Sequence, residues 1–136
     1  MRYLGIDYGT ARIGLAISDE LGMTVRPLKV LAYSKNAVDE IAAIVDQENV
    51  GEIVIGIPYD LNGKETETTR LTKRFAEKLG ESLGRPVNEW DEALSSRKAL
   101  ERMVEAGIKK SKRRKKGMSD TWAATIILQE YLESKG

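Results

Sequence analysis

The chain has 136 residues, 41% of them hydrophobic, with a net charge of +1 and neither Cys nor His. That length and apolar content predict one compact domain, residues 1–136, with a single sizeable core. The missing Cys excludes disulfides and thiolate metal sites, and the missing His excludes Ser-His-Asp triads, histidine metal ligands and the commonest general base, so any catalysis must run on carboxylates, hydroxyls, amines or metals.

Arg2 to Asp7 and Arg12 to Ser18 are apolar runs separated by Tyr8, Gly9, Thr10 and Ala11, the pattern of a hairpin of adjacent strands. A third strand is predicted around Val25 to Tyr33. Asn36 is placed to cap a helix whose Val38, Ile41, Ala42 and Val45 mark one face. Ile53 to Ile57 lacks polar alternation, which predicts a strand covered on both faces and ended by Pro58. An amphipathic helix begins at Thr66 and carries Leu71, Phe75, Leu79 and Leu83 inward. Gly84 and Pro86 turn the chain into a strand at Val87 to Asp91. Ser95 or Ser96 caps a further helix with Leu100, Met103 and Val104, stopped by Gly107. Ser119 to Glu133 is apolar nearly all round, so a largely buried last helix is expected, with Trp122 and the strand residue Trp90 read as core. The order βββαβαβαα implies an α/β fold in which three antiparallel strands lead into parallel ones.

In such sheets ligands gather at the carboxyl ends of the parallel strands. Asp7 falls at one such end, Asp91 and Glu92 at another, and Asp120 in the first turn of the last helix. Each acid also has an ordinary reading: an Asx turn for Asp7, strand-end solvation for Asp91 and Glu92, and the helix dipole for Asp120. Successive strand residues point to opposite faces, so only one of Asp91 and Glu92 is expected to reach a shared cluster. Without His, a carboxylate cluster suits Mg²⁺ or Mn²⁺, and a divalent cation keeps neighbouring acids ionised.

Charge is segregated along the chain. Lys109, Lys110, Lys112, Arg113, Arg114, Lys115 and Lys116 put seven basic residues into eight positions, leaving the remainder net acidic. No stretch approaches the roughly 18 apolar residues of a membrane span, and the first residues lack the pattern of a secretory signal. A cytoplasmic protein with no membrane partner is the expectation.

The stretch from Asp7 to Gly14 resembles the DxGxxRIG opening of the YqgF/RuvX family, a small RNase H-like group described both as Holliday-junction resolvases and as pre-16S ribosomal RNA nucleases. Three further stretches agree in order: Ile53 to Pro58, the Asp91-Glu92 strand end, and Lys115 to Asp120 with Ala123-Ala124. The resemblance implies an RNase H-like fold built on a mixed five-stranded sheet. It also implies an acidic site on Asp7, on Glu92 with Asp91 as substitute, and on Asp120. Two sequence features depart from the pattern. Ala93 stands where an Arg is expected after Asp91-Glu92, and Gly56-Ile57-Pro58 stands where junction resolvases of the wider superfamily place an acid, with Asp60 nearby.

The chemistry so implied is phosphodiester hydrolysis with two Mg²⁺ or Mn²⁺ ions, on structured RNA or branched DNA, by a monomer or homodimer. The basic run from Lys109 to Lys116 would contact phosphates, with Arg12 and Arg70 as weaker candidates that also read as ordinary surface charges. Processing of the 5′ end of pre-16S ribosomal RNA is the first expectation. Resolution of four-way DNA junctions and a non-catalytic nucleic-acid-binding module are the alternatives. An actin-like phosphotransferase shares the DxG opening but closes two domains around its nucleotide.

Overall fold

Alternation along the first two strands decides the layering. Strand β1 (Arg2–Tyr8) pairs antiparallel with β2 (Arg12–Ser18), which pairs antiparallel with β3 (Val25–Ala32). The chain is seen here as a computed structural model that describes residues 1–9, 11–92 and 118–135. Helix α1 (Ala37–Gln47) leads to β4 (Val50–Ile57), α2 (Glu67–Leu83) to β5 (Val87–Asp91), and α3 (Met118–Lys135) comes last. Strands β4 and β5 add in parallel on the other side of β1, giving the order β3-β2-β1-β4-β5. This is the expected mixed five-stranded sheet. The predicted helix after Ser95 or Ser96, and the basic run, lie outside the described residues.

One face of the sheet is almost wholly aliphatic. Leu4, Ile6, Ile13, Leu15, Ile17, Ile53, Ile55 and Ile57 point to α1 and α2, where Ile41, Val45, Phe75 and Leu79 cover them. The other face belongs to α3. Tyr3 and Val54 meet Ile127 and Leu128 there, with Trp90 and Tyr131 at the margin.

Glycines let α3 lie close to the sheet. A Cβ on Gly5 would stand 2.8 Å from Leu128 Cβ and 2.9 Å from the Ala124 carbonyl, and one on Gly14 would overlap the Asp120 backbone. Small residues on a strand face are the usual condition for such close backbone approach. The helix in turn is buried from Ala123 to Leu128, in keeping with its apolar residues on all sides.

Local sequence sets the boundaries. Thr66 and Thr69 form a reciprocal capping box at the start of α2, each side-chain oxygen accepting the other's backbone N–H at 3.2 and 2.9 Å. Gly84 ends that helix in the left-handed conformation. At α1, Asn36 occupies the cap position without a side-chain cap bond, and the Ser34 hydroxyl instead accepts the Asn36 N–H at 3.1 Å. Strand β4 begins at Val50, three residues before the predicted start. The pairing of Arg2 with Val50 and of Tyr3 with Glu52 crosses a bulge, and Gly51-Glu52 breaks the apolar signal.

Two alanine substitutions separate close approach from helix propensity. Gly5→Ala is expected to lower the unfolding free energy by about 1–3 kcal/mol through overpacking against α3. Gly80→Ala, inside α2 with Val87 Cγ2 at 3.9 Å as the nearest neighbour, is expected to raise it by about 0.5–1 kcal/mol. Urea unfolding of both variants measures the contrast; equal and opposite signs to these would show that α3 does not press on β1.

Candidate active site

The carboxyl end of β1 brings Asp7 onto the α3 face, opposite Gly14 of β2. On the parallel side the register runs from Ile6 with Ile55, so Asp7 lies beside Gly56. Strand β5 reaches Asp91, paired with Ile57, and the Glu92 N–H extends the ladder by donating to the Ile57 carbonyl at 3.1 Å. Alternation therefore puts Asp91 on the side of Ile57 and returns Glu92 to the side of Trp90 and Asp7. Gly56 makes room for it, since a Cβ at that position would overlap Glu92 Oε2 and Ile127 Cδ1.

Asp7 and Glu92 are hydrogen-bonded to each other. Burial is the largest influence on both. It pushes Asp7 up to about 6, opposed by the hydrogen bond from Glu92 and reinforced by the negative charge of Asp120. Glu92 is pushed up to about 9 by burial, then by the charge of Asp7, by its hydrogen bond to Asp7 and by the charge of Asp91. The physical picture is one proton held between two crowded acids: Glu92 donates it and the Asp7 carboxylate accepts.

Asp120 joins from the first turn of α3. Its backbone rests on Gly14, and its Oδ2 accepts the Arg12 Nε–H at 2.8 Å in a part-buried ion pair. Arg12 therefore reaches a carboxylate in this structure, and positions the third acid. Among the described residues no three acidic side chains are gathered tightly enough to hold one ion; the close pair is Asp7 with Glu92.

The other singled-out residues fall into place around this corner. Asp91 is exposed and bears on Glu92 through its charge. Asp60 spends its carboxylate on its own loop, accepting the N–H groups of Asn62 and Lys64 at 2.8 Å each. Arg70 is exposed on α2. Trp90 packs edge-on against Tyr131 at 5.9 Å, as a core residue does, and Trp122 is half-buried. Lys109, Lys110, Lys112, Arg113, Arg114, Lys115 and Lys116 lie outside the described residues, as does Ala93. The sequence reading missed Gly56 and Gly14 as the residues that admit Glu92 and Asp120. Glycine inside a strand was the available signal.

A sheet ordered 3-2-1-4-5, with acids at the ends of its central and last strands and a third at the start of the covering helix, defines a domain of the RNase H-like, RuvC-type class. RuvC of Thermus thermophilus in complex with a Holliday junction has the same fold, with a TM-score of 0.62 at 16% identity, covering 100% of this chain and 97% of that one. The fowlpox virus Holliday junction resolvase gives 0.61 at 13% identity, covering 98% and 99%. The family model described as "RuvX: Holliday junction resolvase" matches residues 1–134, and the chain belongs to that family. Among its relatives, a protein of Geobacillus kaustophilus named "Putative pre-16S rRNA nuclease" is 41% identical, with 99% of each chain covered. One of the same name from Syntrophus aciditrophicus is 43% identical, covering 98% of this chain and 89% of the relative.

Both raised carboxyls hold protons in the folded chain that the unfolded chain releases at ordinary carboxylate values. Their contribution to stability is therefore complete below about pH 4 and is lost as pH rises through about 6 and about 9. Glu92→Gln removes the ionisation while keeping the shape. In EDTA, the melting temperature of the variant minus that of the wild type is expected to grow steadily from pH 5 to pH 9. A difference independent of pH across that range would mean that Glu92 titrates as an ordinary exposed acid.

Proposed function

We propose that this protein is a divalent-metal-dependent nuclease that hydrolyses phosphodiester bonds, with the precursor of 16S ribosomal RNA as substrate. The observation that carries this reading is the hydrogen-bonded pair of Asp7 and Glu92, two acids crowded together where adjacent parallel strands end. Burying two like-charged groups is unfavourable unless something positive sits between them. An all-oxygen donor set with raised proton affinity fits a hard cation, Mg²⁺ or Mn²⁺, in place of the shared proton. Asp7 and Glu92 would hold it, and Asp120 would supply the third carboxylate from the start of α3.

Held by these carboxylates, two such ions would supply the charge to polarise a phosphodiester and activate a water. The chain's own residues do the positioning. The Arg12 guanidinium holds the Asp120 carboxylate against the β1–β2 end of the site at 2.8 Å. Gly56 lets Glu92 lie flat over the sheet beside Asp7, and the covering helix with Ile127 excludes water from the inner side. With no imidazole in the chain, the proton released in the reaction passes to a carboxylate or to solvent.

The names borne by relatives 41–43% identical over nearly their whole length support ribosomal RNA as the substrate. The family description favours a second reading, resolution of four-way DNA junctions, which places two copies of the site on a two-fold dimer. In either case the run from Lys109 to Lys116 serves as a sequence-independent phosphate contact immediately before Asp120.

Asp7→Asn and Glu92→Gln are expected to reduce cleavage of a pre-16S RNA fragment in Mg²⁺ or Mn²⁺ by about 10³-fold, the loss of several kcal/mol of transition-state stabilisation. Asp91→Asn should stay within about tenfold of wild type, because its side chain faces the other way. Mg²⁺ should raise the melting temperature of the wild type and not that of Asp7→Asn. A four-way DNA junction assayed alongside decides between the substrates, and full activity in Asp7→Asn would overturn the metal-nuclease reading.

Replacing Lys112, Arg113 and Arg114 together with Ala should weaken binding of all sequences alike and flatten the slope of log K against log salt by up to about 0.9 per lost contact on duplex. An unchanged slope would place the substrate groove elsewhere.

A further inference from the structure

Tyr8 follows Asp7 directly, so its side chain leaves the same strand end on the opposite face of the sheet. Its ring lies 4.4 Å from Phe75, tilted by 30°, and meets Tyr33 edge-on at 5.9 Å and 81°. The Tyr33 backbone is pinned by its N–H to the Ala11 carbonyl at 3.0 Å, yet its side chain remains 49% exposed. These rings, with Leu71, Arg74 and Lys78 of α2, line an open pocket of about 120 Å³. That is well below the roughly 300–1,000 Å³ of sites for drug-sized ligands and suits one planar ring.

Arg74 and Lys78 stand four residues apart, both exposed, and neither makes an ion pair with a described residue. Arg70 continues the row one turn earlier. Like charges at this spacing disfavour a helix. Lys73, by contrast, is neutralised by Glu65 at 3.5 Å and lies over the Tyr59 ring. A fixed aromatic wall beside unneutralised cations is the combination that binds single-stranded nucleic acid: rings stack on bases regardless of sequence, and cations meet phosphates.

We propose that this pocket is a second substrate contact, in which one unpaired base stacks against Tyr33 and Tyr8 while Arg74 and Lys78 hold the adjoining phosphates. The proposal rests on the nuclease reading of the Asp7 site and deepens it: the substrate strand is unpaired at the nucleotide that enters the pocket. Because Asp7 and Tyr8 are consecutive, a strand crossing the carboxyl edge of the sheet reaches both. Another cavity among the described residues, about 450 Å³ between Met23, Val25, Gln129 and Leu132, is lined by no aromatic ring and no Lys or Arg.

The test is equilibrium binding of the full chain in EDTA to a single-stranded ten-nucleotide RNA and to a blunt duplex of the same sequence. Tyr33→Ala is expected to weaken single-strand binding about tenfold and to leave duplex binding within twofold. Tyr33→Phe, which keeps the ring and loses the hydroxyl, should bind like the wild type. Arg74→Ala, at an exposed helical position, should reduce the salt slope on the single strand by about 0.7. Unchanged single-strand affinity in Tyr33→Ala overturns the proposal, as does an equal loss on both nucleic acids or a wild type that binds no single strand at low salt. Failure of the nuclease reading looks different, since the wild type would then bind through the pocket and cut nothing in Mg²⁺ or Mn²⁺.

Discussion

The close seating of α3 on the sheet is the constraint from which the rest of the site follows. With Gly5, Gly14 and Gly56 on the floor, the helix comes near enough for its first turn to touch β2 and for its middle to press on β1 and β4. Any side chain at these positions would lift the helix and move Asp120 away from Asp7. The same seating covers the inner side of the carboxylate pair, and burial is the largest cause of their raised proton affinity. One steric feature thus sets both where the acids stand and how strongly they hold a proton.

The two faces of the sheet divide labour accordingly. The side of α1 and α2 is a continuous layer of Ile and Leu that supplies the hydrophobic stabilisation of the domain. The side of α3 is mixed. Ser18, Asn88 and Glu52 lie among apolar residues there, each with a hydrogen-bond partner: Tyr3 N–H donates to the Ser18 hydroxyl at 2.9 Å, and Asn88 donates to Glu52 at 3.2 Å. A stable first face lets the second tolerate crowded acids, in line with the general tension between stability and a working site.

Period and punctuation made most of this fold legible. The alternation of Ile13, Leu15 and Ile17 and the capping residue Thr66 each correspond to an element with nearly the expected limits, and the unbroken run at Ile53 to Ile57 corresponds to the last five residues of β4. The start of β4 was hidden because Gly51 and Glu52 pair through the backbone while interrupting the apolar signal. Asn36 does stand at the N-cap of α1 as expected, although its side chain makes no cap bond. For the candidate site, the places of Asp7, Glu92 and Asp120 at strand and helix ends are legible in the sequence, and alternation sets Asp91 and Glu92 on opposite faces. The Asp7–Glu92 pair, the Arg12–Asp120 pair and the Tyr8–Tyr33 wall join residues far apart in the chain. No spacing rule within one sequence encodes such contacts.

The ion pair between Arg12 and Asp120 spans 108 residues. During synthesis at about 5–20 residues per second, its two halves emerge roughly 5–20 s apart. The N-terminal hairpin and its acid are therefore synthesised well before the last helix exists to dock on them. Closing so long a loop is entropically slow, and contacts of this range form late in folding. The order of synthesis thus leaves Asp7 and Arg12 without Asp120 until the C-terminal helix has been made.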